Sequence, residues 1–341
     1  MVWTKGRDIP VLAQTFNGNT PIDQFGGGMF GETLRGGGRV TLGLWLDDCD
    51  SIGIGTRFLG VQGDRIDYAR ASDANSFPTI LRPFFNTDPD PNRFGPDALI
   101  VSLPGLSTGS IDIRTSNDVY SSDTFLRVNM LRDSQTRWDL IGGYHFTLVD
   151  DGLTVHNRST ITGGQNPVGT IFDFRDAFNA RNEFHGGSIG VMGQRTHGCW
   201  TMNLLAKLSV GRSYQSVTID GQTTVIDVGG GVATTAGGLL TQPTNIGNYQ
   251  RTKTVFVPEA ALSLNRRITD NWDVSIGYSF IGWSSVLLAG DQIDRSVNNT
   301  ATVNGSQLNG GALNGPANPR FAFTDTSFWL NAMSFGVNYR Y

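Results

Sequence analysis

Four histidines, His145, His156, His185 and His197, are the side chains in this sequence best suited to moving protons near neutral pH. Hydrolytic chemistry would need one of them beside a carboxylate or a nucleophile. Asp150, Asp151 and His156 share a short stretch, but no Asp-x-His spacing exists to set a carboxylate and an imidazole on one strand face. A serine nucleophile would have to stand two residues from its histidine. His156/Ser159 and His185/Ser188 are three apart, which puts each pair on opposite faces. No catalytic residue is therefore assigned, and a hydrolase built on loop-proximal Asp and His is kept only as an alternative.

Asp291 and Asp294, with Asn298 and Asn299 nearby, could offer oxygen ligands to a cation such as calcium. The spacing is not that of an EF-type loop, however. Asp and Asn are common turn residues, and capping a loop or pairing with Arg295 or with lumen arginines is the expected use. Cys49 and Cys199 match neither a metal site nor a disulfide framework, so free or differently paired thiols are expected. No metal and no cofactor is implied.

Charged side chains at alternating positions carry more information. In the last segment Met333, Phe335, Val337, Tyr339 and Tyr341 fall on one face, and Ala332, Ser334, Gly336, Asn338 and Arg340 on the other. Trp272–Phe280, Trp200–Val210, Trp138–Phe146 and Val40–Leu46 repeat the design. Each run reaches or approaches the ~9–11 residues that cross a bilayer as tilted strand. If the apolar set meets lipid, Arg57, Arg127, Arg137, Asp139, Lys207, Glu259, Asp273 and Arg340 point into a lumen. Two uses follow: a salt-bridged filling of buried charges, or a charge-lined path for small polar solutes. The C-terminal alternation of Phe335, Val337, Tyr339 and Tyr341 is the expected insertion signal, with outer-membrane lipid and the barrel-assembly machinery as partners.

Composition agrees with such a wall. Glycine, at 44 of 341 residues, is nearly twice its usual share of about 7%, and charged residues are only 16% against a usual share of about 25%. The mean hydropathy of −0.18 does not separate a soluble protein from a barrel with a wet lumen, because only alternate residues meet lipid. A net charge of −4 without a basic face argues against nucleic acid. No stretch approaches 18 apolar residues, which excludes a transmembrane helix. No 20–30-residue repeat supports a soluble solenoid. Residues 1–30 lack a charged start followed by an apolar run, so an exported form is expected to be a mature or shortened one.

Short polar connections at Asp47–Ser51, Arg132–Thr136, Gln194–Gly198 and Arg266–Asn271 alternate with long Gly/Asn/Thr/Pro-rich segments at about 7–38, 67–108, 150–181, 220–250 and 289–324. Short turns on one side and long loops on the other mark outer-membrane barrels. The reading is one domain over residues 1–341, an all-β, antiparallel up-and-down transmembrane barrel. A first strand at Val2–Gly6, hairpins at 39–66, 109–148, 182–219 and 252–288, and a last strand at 325–341 give ten strands. Twelve would result if Phe77–Phe85 and Ala98–Leu103 joined the wall. Short turns are expected in the periplasm and long loops outside the cell. Pro258 inside a strand predicts a bulge or an unpaired acceptor.

Several motifs carry a resemblance: GGGRVTLGLWLDDC (36–49), ILRPFF (80–85), NEFHGGSIG (182–190), GLLTQPTNIG (238–247), VPEAALSLN (257–265), GDQIDRSVN (290–298) and FWLNAMSFGVNYRY (328–341). They resemble the outer-membrane β-barrel protein family of planctomycetes over nearly the whole chain. The resemblance implies a fold and a bacterial outer-membrane location, without an established activity. It also implies that Val2–Gly6 is the latter part of a first strand. The expected function is a non-enzymatic outer-membrane protein with a structural or surface role and a largely filled lumen, with a passive channel as the alternative.

Overall fold

The computed structural model describes residues 1–30, 34–300 and 313–339. Its strands in chain order are β1 (Val2–Thr4), β2 (Arg7–Ile9), β3 (Ala13–Asn17), β4 (Thr20–Phe25), β5 (Gly28–Phe30), β6 (Gly37–Trp45), β7 (Ile52–Ala71), β8 (Thr79–Asn86), β9 (Gly95–Ser102), β10 (Ser107–Arg132), β11 (Thr136–Ile161), β12 (Ile171–His197), β13 (Trp200–Ile226), β14 (Val232–Ala236), β15 (Gly247–Arg267), β16 (Trp272–Val286), β17 (Ser296–Val297) and β18 (Thr326–Tyr339). One 3-10 turn, Gly290–Gln292, interrupts the β structure of the described residues. No helix among them is long and apolar enough to cross a membrane.

Strict alternation builds the wall. The long strands pair antiparallel in the order β1-β18-β16-β15-β13-β12-β11-β10-β7-β6, with β14 added to β13. The sheet is rolled. Arg57 on β7 and Glu259 on β15 stand five positions apart in that order, about 24 Å across a flat sheet, yet their side chains meet at 2.7 Å. At the two ends of that order, Val2 of β1 pairs with Ala332 of β18 and forms an isolated bridge with Arg35, just ahead of β6.

Outward positions are apolar over a defined height. Leu42, Leu44 and Leu46 are each 59% exposed, a row that water would not favour and lipid would. On β11 the row runs from Trp138 to Leu148. Ten steps of strand at the usual tilt near 45° rise about 24 Å, the height of a barrel's apolar band. Yet β12 and β13 each contain 27 residues, far more than the ~9–11 a bilayer requires. The expected long loop at 150–181 shrinks to residues 162–170 because both flanking strands continue past the band. They do so because their inner faces are covered. Ile111, Ile113, Val155, Phe178, Val217 and Ile219 pack with Ile9, Leu12, Ile80, Phe84, Val101, Leu239 and Leu287 from the long connections.

Those connections form a second sheet, β17-β8-β3-β4 with β9 on β8, and a two-stranded β2–β5 pair. The segments Phe77–Phe85 and Ala98–Leu103 therefore do not extend the wall: β8 and β9 pair with each other inside its mouth. One short turn also moves. β12 continues through His197 and the connection is Gly198–Cys199, where Gly198 at φ 58° supplies the positive torsion of a two-residue hairpin. Pro258 falls where the β15–β16 ladder ends, since that pairing begins at Glu259. Phe256, two residues before it, sends its N–H to Ser284 Oγ on the β16 side. The missing proline donor thus faces a gap in the ladder, while pairing with β13 runs on through Leu208 and Pro258.

Tight curvature explains part of the glycine excess. Gly186 and Gly211 are cross-strand partners, and a Cβ on Gly211 would lie 2.1 Å from the His185 carbonyl oxygen. Gly211→Val should therefore cost about 1–3 kcal/mol through overpacking. The measurement is the unboiled gel shift of detergent-refolded protein against urea. An unchanged midpoint would show that the wall is looser at this point.

Candidate functional site

Cross-strand pairing decides what the lumen contains. Arg57 and Asp123 are partners across β7 and β10, and Lys207 and Glu259 are partners across β13 and β15. Each pair projects inward, and the two meet in the middle. Arg57 reaches Asp123 at 2.8 Å and Glu259 at 2.7 Å, and Lys207 reaches Glu259 at 2.8 Å and contacts Asp123. Two cations and two anions form a neutral crossbar over the width of the lumen. The Lys207 and Glu259 side chains are each 2% exposed. His145 packs beside it, with Nδ1 2.8 Å from Ser209 Oγ and Nε2 3.0 Å from Ser121 Oγ.

Nearer the short turns lies a second charged layer. Asp139 accepts from Arg127 Nε at 2.7 Å, Arg137 Nε at 3.0 Å and Asn129 Nδ2 at 2.8 Å. Both guanidinium groups stack on the Trp45 ring, at 4.7 and 4.0 Å from its centre. Asp273 is buried on the inner face of β16. Arg340 and Tyr341 lie outside the described residues, as does the side chain of Tyr339. Phe335 and Val337 point outward at 66% and 65% exposure.

A third set of ion pairs holds the loops in the mouth. Arg7 bonds Asp64 at 2.9 Å and Asp151 at 3.3 Å, and Arg35 bonds Thr4 Oγ1 at 2.7 Å and Asn117 Oδ1 at 3.0 Å. Arg82 reaches Asp176 at 2.6 Å and Asn157 at 2.7 Å, while the Asp176 carboxylate also accepts from the backbone of Leu240 and Thr241. Sequence reasoning missed all of these, and Asp123 too. Asp123 shares the parity of Arg127, which would have found it. Asp64 does not share the parity of Arg57. It faces inward because β7 bulges opposite Asp118, between Val61 and Asp64. The glycine in Gln62-Gly63-Asp64 was the available signal.

The hydrolytic candidates separate. Asp151 faces inward and binds the loops, whereas Asp150 faces outward beside Arg181 at 3.5 Å. His156 Nε2 does meet a carboxylate, Asp173 Oδ1 at 2.7 Å, on the outer wall and exposed. His185 sits on the same outer surface, 2.5 Å from the Tyr144 hydroxyl. Ser159 and Ser188 line inner surfaces, so neither histidine has its nearby serine. Asp294 caps a loop through the backbone N–H groups of Ser296 and Arg320. Cys49 and Cys199 are free and exposed.

Over residues 1–341 the chain matches the family described as "Putative beta barrel porin-7 (BBP7)". It belongs to the BBP7 β-barrel porin family. No curated protein matches it. Among solved structures this BBP7 chain is similar to the outer membrane protease OmpT from Escherichia coli, at 10% identity and a TM-score of 0.43, covering 100% of this chain and 95% of that one. The porin family accounts for the rolled antiparallel sheet and its apolar outer band.

Asp291 is the titratable group at the mouth that departs most usefully from its ordinary value. Burial, then the nearby Asp8 and Asp151 carboxylates, push it up to about 6, against a smaller opposing pull from Lys5. Its Oδ2 is buried without a hydrogen-bond partner among the described residues. A carboxyl raised in the seated loop favours seating while protonated, so the contribution is full at low pH and fades as pH rises from about 4 through 6. Amide protection factors at Leu287–Ile293, taken relative to the intrinsic exchange rate at each pH, should fall several-fold between pH 4.5 and 7.5, and Asp291→Asn should flatten that profile. In the crossbar, Lys207→Met leaves two carboxylates to one arginine and should cost about 3–5 kcal/mol. Adding Glu259→Leu should recover much of that loss in a double-mutant cycle of urea midpoints.

Proposed function

We propose that this BBP7 protein is a non-enzymatic integral protein of a bacterial outer membrane, of the planctomycete type its motifs resemble, with a structural or surface role. In this reading residues 1–341 form one domain. Ten wall strands close at the Val2–Arg35 bridge, short turns face the periplasm, and long connections face outward. Outer-membrane lipid meets the apolar band, and the barrel-assembly machinery reads the last strand through Phe335 and Val337.

The observation that carries the proposal is the double obstruction of the lumen. Below, the Arg57–Asp123–Lys207–Glu259 crossbar spans the lumen from β7 and β10 to β13 and β15. Above, the second sheet and the apolar core it shares with the wall fill the mouth. A solute crossing the barrel would have to displace both. One feature favours the passive-channel alternative: cavities of 170 and 420 Å³ adjoin the crossbar, sharing Arg39, Arg57 and Asp123 in their walls.

Planar-bilayer recording of the refolded full chain decides between the two. A filled lumen gives no discrete conductance steps. Steps whose ion selectivity changes in Glu259→Lys would replace the structural reading with a channel.

A further inference from the structure

Past the apolar band, the inner faces of β10, β11 and β12 would be bare without the loops. The β8–β9 hairpin shares that surface with other loop segments and leaves a cavity of 260 Å³ beside the end of β11 and the start of β12. Phe172 and Phe174 line it, their rings stacked 6.5 Å apart at an interplanar angle of 20°. Leu99 and Ile161 pack against the same cluster. Leu106 and Ile100, also in the lining, are exposed.

Polar groups in the lining are few. Ser107, Ser159, Gln165 and Asn166 contribute neutral ones, and Asp97 is the one ionisable side chain. Its carboxylate is oriented by Asn86 Nδ2 at 3.1 Å and by the Ala98 N–H at 2.8 Å. No cationic side chain among the described residues forms an ion pair with it. A cavity that is mostly apolar, with a small number of placed polar groups, has the makeup of a ligand site rather than of a packing fault. Its volume lies just under the usual range of about 300–1,000 Å³, which limits the guest to one or two rings.

We propose that this cavity binds a small, flat aromatic cation, its ring against Phe172, Phe174 and Leu99 and its ammonium group toward Asp97. The aromatic walls select a ring by dispersion and edge or stacked contact, and the lone carboxylate selects the charge. The site lies outside the lumen crossbar, so the assignment holds whether or not the lumen conducts.

Tryptamine is the probe, with indole-3-propionate as its anionic counterpart, titrated into the detergent-refolded full chain by saturation-transfer NMR. Tryptamine should saturate with a Kd between about 10 μM and 1 mM, as expected for a ligand of this size. Indole-3-propionate should bind several-fold more weakly or not at all, and Asp97→Asn should weaken tryptamine about two- to fivefold, because the Asp97 carboxylate is exposed at the cavity rim. Ser159→Phe, which puts a ring into the cavity from the inner face of β11 beside Phe172, should abolish binding while the heat-dependent gel shift persists. An equal signal from Ser159→Phe would assign binding to micelles or another place and overturn the proposal. So would failure to saturate below about 10 mM, or equal affinity for the two probes.

Discussion

Hydrocarbon offers no hydrogen-bond partner, so a wall strand must satisfy its backbone against its neighbours and turn its polar side chains away from lipid. Every other feature of this fold follows from where those polar side chains go. In a barrel this narrow, inward groups from opposite walls reach each other, and water cannot be counted on to solvate them. Unpaired charges would be prohibitive there. The cross-strand pairs Arg57–Asp123 and Lys207–Glu259 meet this demand locally, and their meeting at the centre meets it a second time. The same logic acts near the short turns, where the excess positive charge of Arg127 and Arg137 over Asp139 is spread across the face of Trp45.

Beyond the band the constraint changes sign. The strands emerge into water on their outer faces, and there Arg114, Arg158, Arg175 and Arg181 alternate with inward residues. Their inner faces stay apolar, with Ile111, Ile113, Val155 and Phe178 almost fully buried. Long strands of this kind are stable only if something fills the mouth. The loops therefore carry strands of their own, and their length comes from the area they must cover.

The wall was legible because alternation is a direct readout of two environments. Trp138–Phe146 and Trp200–Val210 needed no tertiary information to be placed. Legibility ended where that contrast ended. From Asp150 onward the outer face is polar, so the pattern reads as a loop, although β11 runs to Ile161. The ion pairs of the mouth were hidden for a different reason. Arg7, Arg35 and Arg82 lie in segments whose direction depends on the core they join, and Asp64 needed a bulge to reverse its parity. Asp123, by contrast, shares the parity of Arg127 on β10 and is legible from it.

What holds the mouth closed can be decided by magnitude. Buried ion pairs roughly break even against apolar replacements, because desolvation consumes most of the Coulombic gain. Nε atoms of Arg7 and Arg82 are also buried without a partner among the described residues, at a cost of about 1–3 kcal/mol each. Full burial of a side chain such as Ile80, Phe84, Leu239 or Leu240 contributes about 1.5–3 kcal/mol in the other direction, and the shared core contains many of them. Apolar burial therefore supplies the hold. The arginines supply position: each one ends on a carboxylate or amide of a particular wall strand, so the loops can settle in one register and not slide along an otherwise greasy surface.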